Sequence, residues 1–242
     1  MSSYDKRLDG REWNETRKIE AKVGVIKNAD GSAMFRIGKT WAYAAVYGPR
    51  NLYPKFLQNP EKGILRCNYN MMPFSSPERV RPGPSRRSRE ISMVTSNALL
   101  PVVDLNEFPN AVVDVFIELP QTDAGSRCAG ICAASMALAD AGIQMRDLVS
   151  AVACGKVGDK IVVDLNYEEE AFEPSTDIPI AMVQSTGEVT LLQLDGEISK
   201  EELKKVLEIA KKTLAEISEI QRKALKEKYK VPADDTGNGD EE

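Results

Sequence analysis

The sequence predicts one α+β domain over residues 1–230, closed by a short acidic tail over residues 231–242. Three observations predict it. Apolar and polar residues alternate in short runs bounded by turn signals, which is the strand period. Three helical stripes with sharp starts stand between or after these runs. No internal stretch reads as a linker.

The elements follow in order. Residues 1–11 are polar and end in Arg7-Leu8-Asp9-Gly10-Arg11. Ala21 to Lys27 alternates, Asn28-Ala29-Asp30-Gly31 supplies a turn, and Ser32 to Ile37 returns as the second strand of a hairpin. Trp41 to Val46 is a third strand closing at Gly48-Pro49, since proline cannot donate to a ladder. Arg50 to Gly63 reads as loop, and Ile64 to Met72 as a strand. Phe74 to Pro84 is rich in Pro, Ser and Arg and reads as a basic loop. A helix is expected from about Arg86 to Leu100, with Ile91, Val94, Ala98 and Leu99 at helical spacing. Val113, Val115, Ile117 and Leu119 mark a strand. Ser126 to Ala141 is nearly all small or apolar, so it predicts a helix buried on every side, stopped by Gly142. Strand pairs are expected near Ala151–Asp164 and Ile178–Leu194. The last helix has Ser199 as N-cap and Glu202 closing a capping box. Its apolar stripe is Leu203, Val206, Leu207, Ala210, Leu214 and Ile217.

Composition excludes several chemistries. The chain has 242 residues, is 42% hydrophobic and 29% charged, and carries a net charge of −5. Any nucleic-acid contact is therefore local rather than spread over a basic surface. No apolar run approaches a membrane span and no signal-peptide pattern opens the sequence, so the expected location is cytoplasmic with no membrane partner. There is no histidine, which removes Ser-His and Cys-His nucleophile pairs and His-based zinc hydrolysis. Cys67, Cys128, Cys132 and Cys154 form no paired CxxC and read as small buried thiols.

Two helix starts attract attention. Asp123-Ala124-Gly125-Ser126-Arg127 and Pro84-Ser85-Arg86-Arg87-Ser88-Arg89-Glu90-Ile91 both run into helical patterns. A helix N-terminus offers free N–H groups and the positive end of the dipole. Glycine allows close backbone approach, serine offers a hydroxyl, and guanidinium forks match phosphate oxygens. Three arginines at a helix start oppose the dipole, and an anion would offset that cost. Read alone, the first also fits a plain strand-to-helix turn, and the second a solvated charge cluster. Asp164-Leu165-Asn166-Tyr167-Glu168-Glu169-Glu170 follows a strand, with Asp177 beyond it. Carboxylates there suit a divalent metal or a general acid, although a glutamate run is also what a solvated loop looks like. Lys55, Arg79 and Arg81 lie in the loops with Tyr53, Phe56 and Phe74, a composition that suits single-stranded RNA.

Taken in order, these segments resemble the RNase PH family, and within it the catalytic ring subunits of the archaeal exosome. The resemblance rests on Arg7-Leu8-Asp9-Gly10-Arg11, Lys27-Asn28-Ala29-Asp30-Gly31-Ser32-Ala33, Ala44-Ala45-Val46-Tyr47-Gly48-Pro49 and Met72-Pro73-Phe74-Ser75. Further matches are Pro82-Gly83-Pro84-Ser85-Arg86-Arg87-Ser88, Gln121 to Arg127, Ala137 to Ile143, Met145-Arg146-Asp147-Leu148 and Gln221-Arg222-Lys223-Ala224-Leu225.

The resemblance implies an RNase PH-like fold of mixed sheets packed with helices, similar to ribosomal protein S5 domain 2. It implies a 3′→5′ exoribonuclease that degrades RNA by phosphorolysis and can add RNA tails in reverse. Inorganic phosphate would be co-substrate, held by Arg87, Gly125, Ser126 and Arg127. Glu170 and Asp177 would be catalytic and would hold Mg²⁺, and Arg86, Lys55 and Arg81 would contact RNA. The implied partners are RNA, a related non-catalytic subunit in a ring of three heterodimers, and trimeric RNA-binding caps. The family usually has aspartate where this register places Glu170, and this chain carries one extra residue before Asp177. Glu168 and Glu169 are then expected to be solvated loop residues. The alternatives are a non-catalytic RNA-binding ring subunit and a stand-alone, tRNA-trimming RNase PH.

Overall fold

A computed structural model describes Tyr4 and residues 6–230. The tail expected over 231–242 lies outside the described residues. Two sheets enclose one helix. The first sheet contains β1 (Ile19–Val23), β2 (Gly31–Ile37), β3 (Thr40–Asn51), β4 (Ile64–Met71) and β5 (Ala111–Gln121), in the order β1-β2-β3-β5-β4. Only the β4–β5 pair is parallel. Helix α1 (Arg86–Leu99) makes that crossover and packs on β4. The second sheet contains β6 (Val149–Val157), β7 (Lys160–Val163), β8 (Ser175–Val183) and β9 (Val189–Leu192), all antiparallel, in the order β7-β6-β8-β9.

Helix α2 (Ser126–Asp140) runs between the sheets, touching β2, β3 and β5 on one side and β6 and β8 on the other. Its Ala, Gly, Cys and Ser side chains let both sheets approach, as its all-round apolar sequence predicts. A Cβ on Gly130 would press on Ile117 at 3.3 Å, and one on Gly31 would collide with the backbone of Ala137 and Ala141. The four cysteines are buried free thiols, as expected. The long helix α4 (Lys200–Lys228) covers β6 and β1. Its capping box at Ser199 and Glu202 forms as expected, and Val206, Ala210, Leu214 and Ile217 are fully buried. Gln221 is also buried. It donates to the carbonyls of Cys132 and Val149 at 3.2 Å each and accepts from Ser150 Oγ at 2.7 Å, so its amide satisfies itself inside the core. Among the described residues no helix is long and apolar enough to cross a membrane.

The main departures from the sequence reading lie in the first hairpin, the third strand and the loop after it. The first strand ends at Val23 instead of reaching Lys27, because Gly24 adopts a left-handed φ of 70° and the chain leaves the ladder. Ser32 Oγ then accepts from the Ile26 N–H at 2.9 Å and fixes the longer connection. The third strand runs through Gly48-Pro49 to Asn51. A register shift between Tyr47 and Arg50 bulges the strand there, so the proline occupies no donor position in the ladder. Lys55–Leu57 forms a single 3₁₀ turn inside the expected loop.

The largest correction concerns the glutamates. Tyr167–Glu170 forms a helical turn, α3, with Asn166 as N-cap and Glu169 closing a capping box. Glu169 is not solvated. Its side chain and that of Arg7 are both fully buried and paired at 2.8 Å. Arg7 Nε and Nη2 reach Glu169 Oε1 and Oε2, each at 2.8 Å, while Tyr4 Oη donates to Oε1 at 2.6 Å. The remaining Arg7 donors find the carbonyls of Glu12, Glu15, Val163 and Asp164. Burial alone would raise the Glu169 carboxyl, but the hydrogen bonds from Arg7, Tyr4 and the Asn166 N–H outweigh it and hold it below its usual value.

Glu169→Gln is expected to cost about 3–5 kcal/mol, because it strands the Arg7 charge in a dry site. Since the folded-state carboxyl lies below its unfolded value, the pair's contribution is present above the unfolded value and is lost as pH falls through the folded one. Urea denaturation across pH checks both points. A cost below about 1 kcal/mol would mean that the pair is not the anchor described.

Candidate active site

The β5–α2 turn is held from outside before it presents anything. Ala124 and Gly125 both adopt left-handed backbone, with φ of 55° and 62°. Thr40 Oγ1 accepts from the Asp123 N–H at 2.8 Å and donates to the Ala124 carbonyl at 2.7 Å. Arg17 Nη1 donates to the Asp123 carbonyl. The same guanidinium grips Asp164 with two bonds, Nε to Oδ2 at 2.8 Å and Nη2 to Oδ1 at 2.7 Å. Asp164 is almost wholly buried and itself left-handed, with φ of 54°. Arg17 therefore ties the turn before α2 to the end of β7. The Tyr167 N–H donates to Asp123 Oδ1 at 3.0 Å, which adds α3 to the same junction.

Gly125 is the N-cap of α2 and has no side chain to cap it, and no acidic residue lies in the first turn. The first N–H groups of the helix are thus left to a ligand. Arg127 lies on that turn and Arg87 near the start of α1. Arg127 Nη1 donates to Gln193 Oε1 at 2.5 Å, which directs the fork across β8 toward β9. Glu170 ends α3, and Asp177 lies in β8.

All six residues expected from sequence at the phosphate and the acids meet here. Arg87, Gly125, Ser126, Arg127, Glu170 and Asp177 line one small cavity. It shares Arg87, Ser126 and Glu170 with a larger cavity of about 360 Å³. Tyr69, Met71, Val80 and Tyr167 help to line that second space. Arg86, Lys55 and Arg81 line neither cavity and are exposed; Arg86 and Arg81 neighbour lining residues in sequence, whereas Lys55 lies in the loop at the far end of β3 and β5.

The charges of the site are unbalanced by design of the backbone. Burial pushes the Asp177 carboxyl up to about 6, with the Glu170 and Asp195 charges adding to it and Arg127 and Arg87 opposing it. Asp177 also exchanges both backbone hydrogen bonds with Asp195, at 2.9 Å each, so its main chain is fixed. Among the described residues no three acidic or cysteine groups form a metal cluster. Two carboxylates beside an anion site still suit Mg²⁺, which is commonly held by one or two carboxylates plus substrate phosphate and water.

Arg17, Tyr69 and Gln193 were not singled out from sequence; Arg7 and Asp164 entered only as members of longer segments, and Glu169 as a solvated loop residue. The Asn166-to-Glu169 spacing is a capping-box signal that could have shown Glu169 to be engaged. Nothing local marks Arg17 or its partnership with Asp164, which spans 147 residues.

Known proteins match this architecture. The description "3′ exoribonuclease family, domain 1" fits residues 15–144, and "3′ exoribonuclease family, domain 2" fits residues 147–213. The chain belongs to the RNase PH, or 3′ exoribonuclease, family. It is 51% identical to "Exosome complex component Rrp41" of Thermococcus onnurineus over 97% of this chain and 94% of that one. It is 51% identical to the protein of the same name from Pyrococcus furiosus, covering 93% and 89%. Two solved structures share its fold. Rice Rrp46 has a TM-score of 0.81 at 26% identity, covering 91% of this chain and all of that one. A structure described as the Archaeoglobus fulgidus exosome with RNA bound to the active site has a TM-score of 0.77 at 26% identity, covering 93% of each. The RNase PH fold expected from sequence is therefore the fold observed.

The electrostatics give a test that needs no substrate. In the metal-free chain Asp177 is expected to titrate near 6, and Glu170→Gln is expected to lower that value by removing a neighbouring negative charge. Carboxyl-carbon NMR titration reads both. An Asp177 value near that of a free carboxyl, unmoved by Glu170→Gln, would mean that the two acids do not share a site.

Proposed function

We propose that this chain is the catalytic subunit of an exosome of the archaeal type and shortens RNA from its 3′ end by phosphorolysis. One observation carries the reading. The unsatisfied N-terminus of α2, the Arg87 and Arg127 forks and the Glu170–Asp177 pair surround one cavity. Family membership and the Rrp41 relatives support it.

In this reading inorganic phosphate sits at the Ser126 N–H and hydroxyl, between the two guanidinium groups. Held there, its oxygen is positioned against the terminal phosphodiester, which replaces a bimolecular encounter with a local one. The new bond forms between that oxygen and the diester phosphorus. The bond from phosphorus to the 3′-oxygen breaks, and its electron pair leaves on the 3′-oxygen, which takes up a proton. The product is a nucleoside 5′-diphosphate. Arg87 and Arg127 face the charge that builds on the phosphoryl oxygens. Asp177, with a carboxyl near 6, is suited to carry the proton. Glu170 and Asp177 are also the residues that would hold Mg²⁺, which would supply further neutralisation of phosphate charge. No histidine is required, because the nucleophile is the co-substrate. Excess nucleoside diphosphate would run the exchange backward and extend RNA.

Arg86, Lys55 and Arg81, all exposed, form the proposed RNA contacts: Arg86 adjoins Arg87, Arg81 adjoins the Val80 that lines the larger cavity, and Lys55 lies in the loop at the far end of β3 and β5. The proposed assembly is a ring of three heterodimers with a related non-catalytic subunit, carrying trimeric RNA-binding caps, in the cytoplasm. The relatives' description as components of a complex supports an assembly of this kind.

The test is to assemble the full chain with its partner subunit and measure nucleotides released from RNA against phosphate concentration. Nucleoside diphosphates, in proportion to phosphate, are expected. Arg127→Ala is expected to lower turnover by about 10²–10³ while the circular dichroism spectrum is unchanged. Glu170→Gln and Asp177→Asn are each expected to lose catalysis, with losses far from additive, since the two acids act together. Release of nucleoside monophosphates without phosphate would contradict the reaction. Full activity in Arg127→Ala would place the site elsewhere.

A further inference from the structure

Tyr69 is a buried side chain on β4 whose hydroxyl makes no hydrogen bond of normal geometry among the described residues. Its ring lies against α2, within 3.6 Å of the position a Cβ on Gly130 would take. Its backbone is fixed by the N–H, which donates to Ser92 Oγ at 2.8 Å. Phenylalanine would fill the same space without burying an oxygen, and an orphan hydroxyl in a dry core carries an uncompensated desolvation cost. Tyr69 and Ser126 line the larger cavity together with Arg87, and the Ser126 hydroxyl and the Arg87 and Arg127 charges all act on the Tyr69 oxygen. Burial raises the phenol above its ordinary value, so it stays protonated and can only be a neutral donor or acceptor.

Ser126 is the partner that acts on this oxygen, and its hydroxyl stands at the first position of α2, on the lining of both cavities. A serine hydroxyl has one proton and two lone pairs. When an anion sits at the helix start, that proton turns to the anion and the lone pairs of Oγ are left facing the protein. Tyr69 is the donor standing there.

We infer that Tyr69 is a positioning residue for the phosphate site: its hydroxyl donates to Ser126 Oγ and so holds the Ser126 O–H on the bound anion. The two hydroxyls then form a short chain, Tyr69 to Ser126 to phosphate oxygen, in which each bond polarises the next. Its last link, from Ser126 to the ligand, forms only when the anion is present. Tyr69 thus rewards occupancy of the site and touches neither RNA nor the reacting atoms. The inference rests on the reading that Ser126 holds phosphate.

The test compares wild type, Tyr69→Phe, Ser126→Ala and the double variant in the full chain assembled with its partner, with inorganic phosphate as the probe. Tyr69→Phe is expected to raise the KM for phosphate about fivefold, the worth of one neutral hydrogen bond. The KM for RNA is expected to stay put, and the thermal midpoint without phosphate is expected to be no lower than wild type. In the Ser126→Ala background the same change is expected to have no further effect, because its route runs through Ser126. A wild-type phosphate KM in Tyr69→Phe overturns the inference and leaves the phosphorolysis reading intact. So does an equal loss in the Ser126→Ala background, which would mean that Tyr69 acts independently of Ser126. A drop in thermal midpoint with KM for phosphate and RNA rising together would show a merely structural tyrosine. If wild type neither binds phosphate nor needs it for turnover, the phosphorolysis reading falls and the Tyr69 inference with it.

Discussion

Arg7 and Glu169 are separated by 162 residues and are both shut off from water, and the geometry of the site hangs on their meeting. An ion pair in such a place adds little by itself, because desolvation offsets its attraction. What it supplies is position. Arg7 fills all its donors with Glu169 and four carbonyls, so the N-terminal strip can lie along the end of the second sheet in only one way. Ten residues on, Arg17 clamps Asp164 and the Asp123 carbonyl together. The strip thereby joins β7 and α3, on one sheet, to the turn that starts α2 from the other. Glu170 reaches the cavity because its neighbour Glu169 is anchored on the opposite side of the same helical turn.

The second constraint is electrical. A helix start with no cap and two nearby guanidinium groups attract an anion, while burial, reinforced by the Glu170 charge across the cavity, raises Asp177. Neither half is comfortable alone. A phosphate would balance the first and a proton or a divalent cation the second, so the arrangement suits a ligand with both features. Phosphoryl transfer needs little else from protein beyond position and charge.

Local signals were legible in the chain. Ser199 and Glu202 announced α4, the small-residue run announced a helix buried on both sides, and the Gly125 turn announced the start of α2; each depends on neighbours within a few residues. The resemblance to a family added what no local pattern held, namely that Arg87 and Arg127 belong together. Two things stayed hidden. A proline seemed to end β3, yet a bulge carried the strand past it, since the pairing of β5 outweighs one missing donor. The glutamate run looked solvated, yet Glu169 is buried, because its partner lies in a segment that composition marked only as polar. A buried ion pair between distant residues leaves no periodicity to read.

The central claim is that an anion completes this site. The most direct measurement is an experimental structure of the full chain with inorganic phosphate. The expected result is a phosphate within hydrogen-bond reach of the Ser126 N–H and of the Arg87 and Arg127 guanidinium groups, with Glu170 and Asp177 facing it. A phosphate bound only elsewhere, with these residues unchanged around an empty cavity at saturating concentration, would contradict it.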